Sequence, residues 1–511
     1  MTPINRSAIS PHAETPERRR LLVLAAAVLI VELLYVVFIS AGKMLHWPYY
    51  LSYLNDLAEG LRQRHLHLAI EPDPALLAQP NPFDGNNRNL WYWDVSLYHR
   101  HYYLYWGPLP ALLLAVFKTV FRISSVVMDD VVVFWLMTLQ LVAGTLFIER
   151  AGRRFYNQPS QPSLTLQVAA VFVLGVANPM LFNLARPGVY EAAIVGGQAF
   201  VLLGLVFACD VIASREPRRL WMLAAGACWS CALACRVSLA PAIGLLVVVT
   251  ALFSASGKPQ RLRRTAFGLF WLGLPVAIGV AGLLTYNRLR FDEWLEFGRK
   301  YQLTFIGSVV DKRFIRPNLY AYLRRPPVVS CRFPYFFVLE NVGEKAFPPG
   351  YDLPPGYFVY EKVVGLLRAL PWCWFSMVAV VAASVRAFRR RALSAQTWAV
   401  AATAIAGTIA ILPAMALPSA TNRYLGDIAG AIVLLSTLGV WTAHQALQTR
   451  PVLRRLLVAT ALLLGILSVG VGVALGITGE YPHFEVNNPP LYQKLVRRLS
   501  VCQGEIPPEP K

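Results

Sequence analysis

Asp56 and Glu59 stand three residues apart in Tyr53-Leu54-Asn55-Asp56-Leu57-Ala58-Glu59-Gly60, a spacing that puts both carboxylates on one face of a helix. Apolar residues at Leu51, Leu54, Leu57, Ala58 and Leu61 recur with helical period, so the segment reads as an amphipathic helix lying on a membrane surface. A carboxylate held just above hydrocarbon can take a proton from a hydroxyl. The same pattern describes a solvated polar face, and spacing alone leaves both readings open. A second acid, Glu191, closes the run Arg186-Pro187-Gly188-Val189-Tyr190-Glu191. Pro and Gly make a turn there, and Glu191 opens the next helix, where it either complements the positive helix end or acts as a base.

The cationic candidates are Arg236, Arg423 in Asn422-Arg423-Tyr424, Arg186 and Lys300. A guanidinium grips phosphate through two parallel hydrogen bonds, which suits a lipid-phosphate headgroup. Pairing with a nearby carboxylate, or snorkelling to the headgroups, explains such residues equally well. Tyr53, Trp91, Trp93, Tyr105 and Tyr424 are the aromatic candidates to meet a sugar or acceptor, and Trp and Tyr also favour the headgroup level for its own sake. The seven cysteines offer no metal site. Cys228, Cys231 and Cys235 share a helix face as small apolar filler, and no second ligand pair follows. Cys331 and Cys502 fall outside the membrane in the topology below, where a disulfide is permitted; Cys373 near the same surface leaves the pairing open.

The elements that must carry these groups are membrane helices. Hydrophobic residues make up 56% of the 511, and they arrive in blocks of span length, such as 21–41 and 456–478. The first block is too long for a signal-peptide core and reads as a retained anchor. The formal charge of +20 sits mostly in short gaps between blocks. Its clusters are Arg18-Arg19-Arg20, Arg150/Arg153/Arg154, Arg215/Arg218/Arg219, Lys258/Arg261/Arg263/Arg264, Arg386/Arg389/Arg390/Arg391 and Arg450/Arg454/Arg455. That is a positive-inside pattern, and no nucleic-acid motif accompanies it.

Placing every cluster on the cytoplasmic side gives an all-α polytopic protein of about eleven spans with its amino terminus inside. The expected spans are 21–41, 126–149, 164–184, 190–212, 219–235, 238–255, 265–285, 360–385, 394–416, 425–444 and 456–478. Residues 1–20 form the cytoplasmic start, 21–478 the membrane domain, and 479–511 a short outer tail. Outer segments 42–125 and 286–358 make the extramembrane face. The run 107–117 is apolar but too short to cross, so it is expected to lie at the outer surface as an interfacial or re-entrant piece. Residues 286–300 mix charge with aromatics, a pattern that suits contact with phosphate or sugar but reads first as a plain interfacial helix.

The order of these parts resembles the GT-C glycosyltransferases, in particular the branch of protein O-mannosyltransferases and lipid A aminoarabinose transferases. The resemblance rests on the N-in first helix, the acidic surface helix, and the re-entrant Tyr105-Trp106-Gly107-Pro108-Leu109-Pro110. A carboxylate at the helix 3–4 turn and the long loop after helix 7 add to it. The stretches Asp94-Val95-Ser96-Leu97-Tyr98, Asn287-Arg288-Leu289-Arg290-Phe291, Glu296-Phe297-Gly298 and Asn422-Arg423-Tyr424-Leu425 look like those of a bacterial subgroup. The chain departs from the family in spreading the acid pair as Asp56 and Glu59, and in having Glu191 where relatives often carry Asp.

The resemblance implies a bacterial inner-membrane enzyme of cell-envelope glycan synthesis. It would move a sugar from a polyprenyl-phosphate donor to an outer acceptor hydroxyl on glycan, lipid or protein, with inversion. On that reading Asp56 is the base, with Glu191 and Glu59 as further catalytic candidates. Arg423, Arg236, Arg186 and Lys300 hold phosphate. No cofactor is required, though a divalent ion bridging Asp56 and phosphate is compatible with the layout. The competing reading is a transporter or flippase for a lipid-linked or anionic substrate; such proteins set ionisable groups at the midplane in repeated halves, and no repeat is visible.

Overall fold

The structure, a computed structural model, describes residues 16–49, 51–156, 162–214, 218–304, 310–338, 347–358, 361–390, 393–480 and 482–502. Arg215 and Arg391 of the basic clusters, and the first fifteen residues of the expected cytoplasmic start, lie outside the described residues.

In chain order the helices are α1 (Pro16–Ile39), α2 (Tyr53–Arg62), α3 (Pro74–Leu77), α4 (Leu109–Val120), α5 (Asp129–Phe155), α6 (Leu164–Val176) and α7 (Met180–Leu184). There follow α8 (Val189–Ala213), α9 (Arg219–Cys235), α10 (Ala240–Ser254), α11 (Arg261–Phe291), α12 (Ile315–Leu323) and α13 (Leu366–Ala369). The chain ends with α14 (Phe375–Arg390), α15 (Ala395–Thr408), α16 (Leu412–Met415), α17 (Gly426–Ala446), α18 (Pro451–Thr478), α19 (His483–Asn487) and α20 (Pro489–Leu499). Two small antiparallel hairpins, β1 (Ser96–Tyr98) with β2 (His101–Tyr103) and β3 (Val328–Val329) with β4 (Phe336–Phe337), decorate one end.

Among the described residues ten helical segments are long and apolar enough to cross a membrane. The eleventh expected span is α9, apolar but only 17 residues. At 1.5 Å per residue it reaches about 26 Å, close to the hydrocarbon thickness. It packs between α8 and α11. The chain is a multi-pass α-helical membrane protein. Contacts of Arg20 with Gln167, Arg153 with Glu17, Arg150 with Asp210 and Lys258 with the Ser214 carbonyl gather basic clusters at one end of the bundle, and Arg423, Glu191 and Arg236 lie at the other.

Several boundaries differ from the sequence reading. α5 and α11 run six residues further, to Phe155 and Phe291. The basic residues there lie on helix, because Arg side chains let a helix continue past the hydrocarbon. Residues 286–300 accordingly divide into the last turns of α11, a bend, and a 3-10 turn at Arg299–Tyr301. The expected span at 360–385 starts late: Gly365 and Pro371 break the chain, and the spanning segment is Pro371–Arg389.

α4 covers the run thought too short to cross. It buries Leu109, Ala111, Leu114, Ala115 and Lys118 and leaves Leu112, Leu113, Val116 and Phe117 exposed, the two faces of an interfacial helix. Its buried face lies on α2, where the fully buried Lys118 Nζ bonds Asn55 Oδ1 at 2.6 Å, the Ser125 carbonyl at 2.9 Å and Glu59 Oε1 at 2.5 Å. Gly107 starts the turn into α4, and a Cβ there would sit 2.1 Å from the Ala234 carbonyl oxygen, so only glycine lets this turn press against the end of α9.

The tail is more than a short trailing segment. His483 Nε2 and Asn488 Nδ2 hydrogen-bond the Phe38 and Ala41 carbonyls, each at 2.8 Å, which ties α19 and α20 to the end of α1. Cys331 and Cys502 form a disulfide with Cα atoms 5.6 Å apart, and Val501 N–H donates to the Cys331 carbonyl at 2.9 Å. The long loop and the tail are thereby stapled together. Cys373 is buried and free.

Candidate functional site

Arg423 and Glu191 come together at the end of the bundle opposite the basic clusters. Arg423 sits in a 3-10 turn, Asn422–Leu425, that leads into α17. The buried Asn422 fixes this turn by exchanging amide hydrogen bonds with Asn178 at 3.2 and 2.9 Å and by accepting from Val364 N–H at 3.3 Å. Glu191 opens α8, its Oε2 accepting from Gly188 N–H at 3.1 Å, so the end-of-helix role expected of it is present. Its Oε1 lies 3.7 Å from Arg423 Nη1. Arg423 Nη2 pairs with Glu361, and its guanidinium lies 4.3 Å from the centre of the Tyr190 ring.

Glu480, from the tail, completes the cluster, 3.8 Å from Arg186 Nη1. Burial, with Glu361 and Glu191 close by, pushes the Glu480 carboxyl up to about 7. Neither Glu361 nor Glu480 was visible in the sequence as a site residue, since each lies in an irregular segment with no periodic context. Tyr49 adds a phenol, its hydroxyl 3.1 Å from where a Cβ on Gly188 would stand and bonded to Arg186.

Asp94 joins the same cluster. Its Oδ1 accepts from Tyr190 Oη at 2.8 Å and Tyr105 Oη at 3.4 Å, and the two phenols are 2.6 Å apart. Asp94 has a left-handed backbone, φ +57°, which Asp adopts more readily than most residues. The β1–β2 hairpin behind it turns through His99 and Arg100, both at positive φ, and Ser96 Oγ anchors it to the Gly298 carbonyl at 2.7 Å. Burial beside Tyr190 and Asp94 pushes the Tyr105 phenol well up, so it stays protonated as a donor.

Asp56 lies apart from Arg423. Its carboxylate accepts from Ser52 Oγ and Tyr92 Oη, both at 3.3 Å on Oδ2. Burial raises its pKa, offset by the Tyr92 hydrogen bond. Tyr92 packs against Tyr53, ring centres 4.9 Å apart, and Tyr53 lies within electrostatic reach of Asp94 and Arg186. Asp56 therefore reaches the cluster through two aromatic rings. Glu59 is engaged elsewhere: partial burial works to raise it, but Lys118 and Arg62 hold it below the usual range. Lys300 is an exposed ion pair with Glu293 at 2.9 Å, set by the bend after α11, and not a member of the cluster. Trp91 is buried, its indole N–H on the Pro82 carbonyl at 2.9 Å, while Trp93 is exposed.

Beside the cluster opens a groove of about 430 Å³. Leu233, Val237, Leu283, Pro413 and Leu417 give it apolar walls, and Arg236, Arg290 and Arg299 bring positive charge. Arg236 pairs with Asp427 at 2.6 Å and lies 5.0 Å from the centre of the Tyr424 ring. The Nε groups of Arg236, Arg290 and Arg423 are buried without a hydrogen-bond partner. A buried N–H with no acceptor is costly, and an anion would satisfy it. Tyr105 and Tyr424 line this groove, and Tyr105 also bonds Asp94, so one side chain is shared by the groove and the acid cluster. Among the described residues no group of three His, Cys, Asp or Glu is placed to hold a metal ion.

No family model matches the chain, and no curated protein matches it. Among solved structures it is similar to the oligosaccharyltransferase AglB of Archaeoglobus fulgidus in complex with an inhibitory peptide and a dolichol-phosphate. That likeness has 14% identity and a TM-score of 0.48, over 91% of this chain and 56% of the other. The apo form of the Archaeoglobus fulgidus oligosaccharyltransferase gives 15% identity and a TM-score of 0.47, over 97% of this chain and 60% of the other. The chain thus spans less than two thirds of these proteins' length, and a likeness at this level assigns no residue a role.

Proposed function

We propose that the chain is a membrane glycosyltransferase that moves a sugar from a lipid-phosphate donor to an acceptor hydroxyl at the site end of the bundle. The observation that carries this reading is the adjoining of two unlike surfaces at Tyr105. On one side is an apolar groove with buried, unpartnered guanidinium N–H groups; on the other is a cluster of carboxylates. A polyprenyl chain suits the groove, and its phosphate suits Arg236, Arg290 and Arg423. Phosphate at Arg423 competes with Glu361 and Glu191 for the guanidinium, so donor binding and rearrangement of these pairs are coupled.

The geometry favours Asp94 over Asp56 as the base. Both tyrosine hydrogen bonds to Asp94 fall on Oδ1, which leaves Oδ2 to receive a proton. As the acceptor O–H gives that proton to Asp94, its oxygen bonds the anomeric carbon. The carbon–phosphate-oxygen bond breaks, and phosphate leaves with the electron pair, its charge met by arginine. One displacement inverts the anomeric centre. The reaction as written needs no cofactor. The end where it occurs is the extracytoplasmic one, with the basic clusters inside. Purified protein should carry label from a polyprenyl-phosphate sugar to an acceptor. Absence of transfer across a panel of such donors, together with absence of polyprenyl phosphate in its co-purified lipid, would end the proposal.

A further inference from the structure

A second opening touches the acid cluster at Tyr49 and shares no lining residue with the groove. It is a cleft of about 310 Å³ between residues 45–49 and the start of α5, lined by Leu45, Trp47, Tyr49, Met128, Asp130 and Val131. Its position is set by the end of α1 at Ile39 and the start of α5 at Asp129, which puts it at the level where helices leave the hydrocarbon. The rim is apolar and open: Leu45 is 99% exposed, and Trp47 packs on Phe134 at 5.5 Å between ring centres; further along α5, Trp135 is exposed as well. Such a rim is stable against lipid and costly against water.

The inner end of this cleft is chemical. Tyr49 lines it, and the Tyr49 hydroxyl lies beside Gly188, Arg186 and Glu191 of the cluster. Among the described residues that line the cleft none is a cation, Arg186 standing behind Tyr49, and the charged one is the buried Asp130. The groove has the opposite character, with three arginines. A phosphate-bearing lipid is therefore matched by the groove and opposed by the cleft.

We infer that this cleft is the lateral entrance for the acceptor, and that the acceptor is a membrane-anchored lipid with an uncharged, hydroxylated head. The inference rests on the glycosyltransferase reading and adds to it the class and route of the acceptor. The anchor enters from the bilayer past Leu45 and Trp47, and the head passes Tyr49 to reach the carboxylates. Donor and acceptor then approach the same cluster from separate openings, so neither must leave before the other binds.

The test places the photoreactive p-benzoylphenylalanine at Val131 in the cleft and, separately, at Val237 in the groove of the full chain in phosphatidylcholine nanodiscs. Dodecyl glucoside, phosphatidylglycerol and undecaprenyl phosphate are the probes, and adducts are read by mass spectrometry. Val131 should capture the glucoside about tenfold over either phosphate lipid. Equal capture, preference for a phosphate lipid, or no glucoside adduct at Val131 overturns the inference. Val237 should capture undecaprenyl phosphate, and failure there counts against the donor site alone, so the two readings fall separately.

Discussion

Asp94 and Asp56 differ in what surrounds them. Two phenols hold Asp94 within the acid cluster, whereas Asp56 is reached only across Tyr92 and Tyr53. Asp94→Asn is expected to lower transfer by about 10²–10⁴-fold, the usual cost of removing a positioned base. Asp56→Asn should cost far less; the reverse order in a labelled-sugar assay would return the role to Asp56. Glu480 allows a test by pH. Its folded value, about 7, lies above the ordinary carboxylate range, so the folded state holds this proton more tightly than the unfolded one. Its contribution to stability is greatest in acid and is lost as pH rises through about 7. Glu480→Gln mimics the protonated acid, so thermal unfolding should match wild type near pH 5 and exceed it near pH 8. A constant difference across that range would show that Glu480 stays ionised. Neither Asp94 nor Glu480 announced itself by spacing: Asp94 lies before a two-residue hairpin and Glu480 just past a helix end, and only the fold brings them together.

At the scale of elements, α2 and α4 form a unit held by the buried Lys118. Glu59→Gln removes a charged partner from that lysine, which costs about 2 kcal/mol for a hydrogen bond to a charged group. Melting should therefore fall while transfer per folded molecule stays within about threefold, since Glu59 points away from the cluster. A loss of turnover without a loss of stability would place Glu59 in the chemistry after all. The helix at α2, the short apolar helix α4 and the turn before Glu191 were legible because each is written in local period or in Pro and Gly. The sequence could not give the ends of α5 and α11, because arginines permit both a helix and a loop. Nor could it separate Lys300 and Glu59 from Arg423 and Glu191. All four are charged residues near an apolar run, and partner choice depends on contacts far apart in the chain.

For the whole molecule, the alternation of helices predicts sidedness. A reporter fused after Arg153 should read cytoplasmic and one after Lys300 external; a swap at either would invert the bundle and move the site to the other face. That alternation was legible from charge, whereas the nesting of helices was not. The span that holds α17 carries 1.6 in mean hydropathy against 2.9 for the first span, yet among the described spans it is the most deeply enclosed, by α5, α6, α8, α14, α15 and α18. Its place bears on how the protein is born. The ribosome makes α17 after every neighbour except α18, so for most of synthesis the axis it fills is without it. Arg236 waits there without Asp427, and Glu191 without Arg423. A nascent chain that ends before residue 426 lacks Asp427, and Arg236 there has no carboxylate to pair with. Synthesis of α17 is thus the step that supplies Arg236 with its partner.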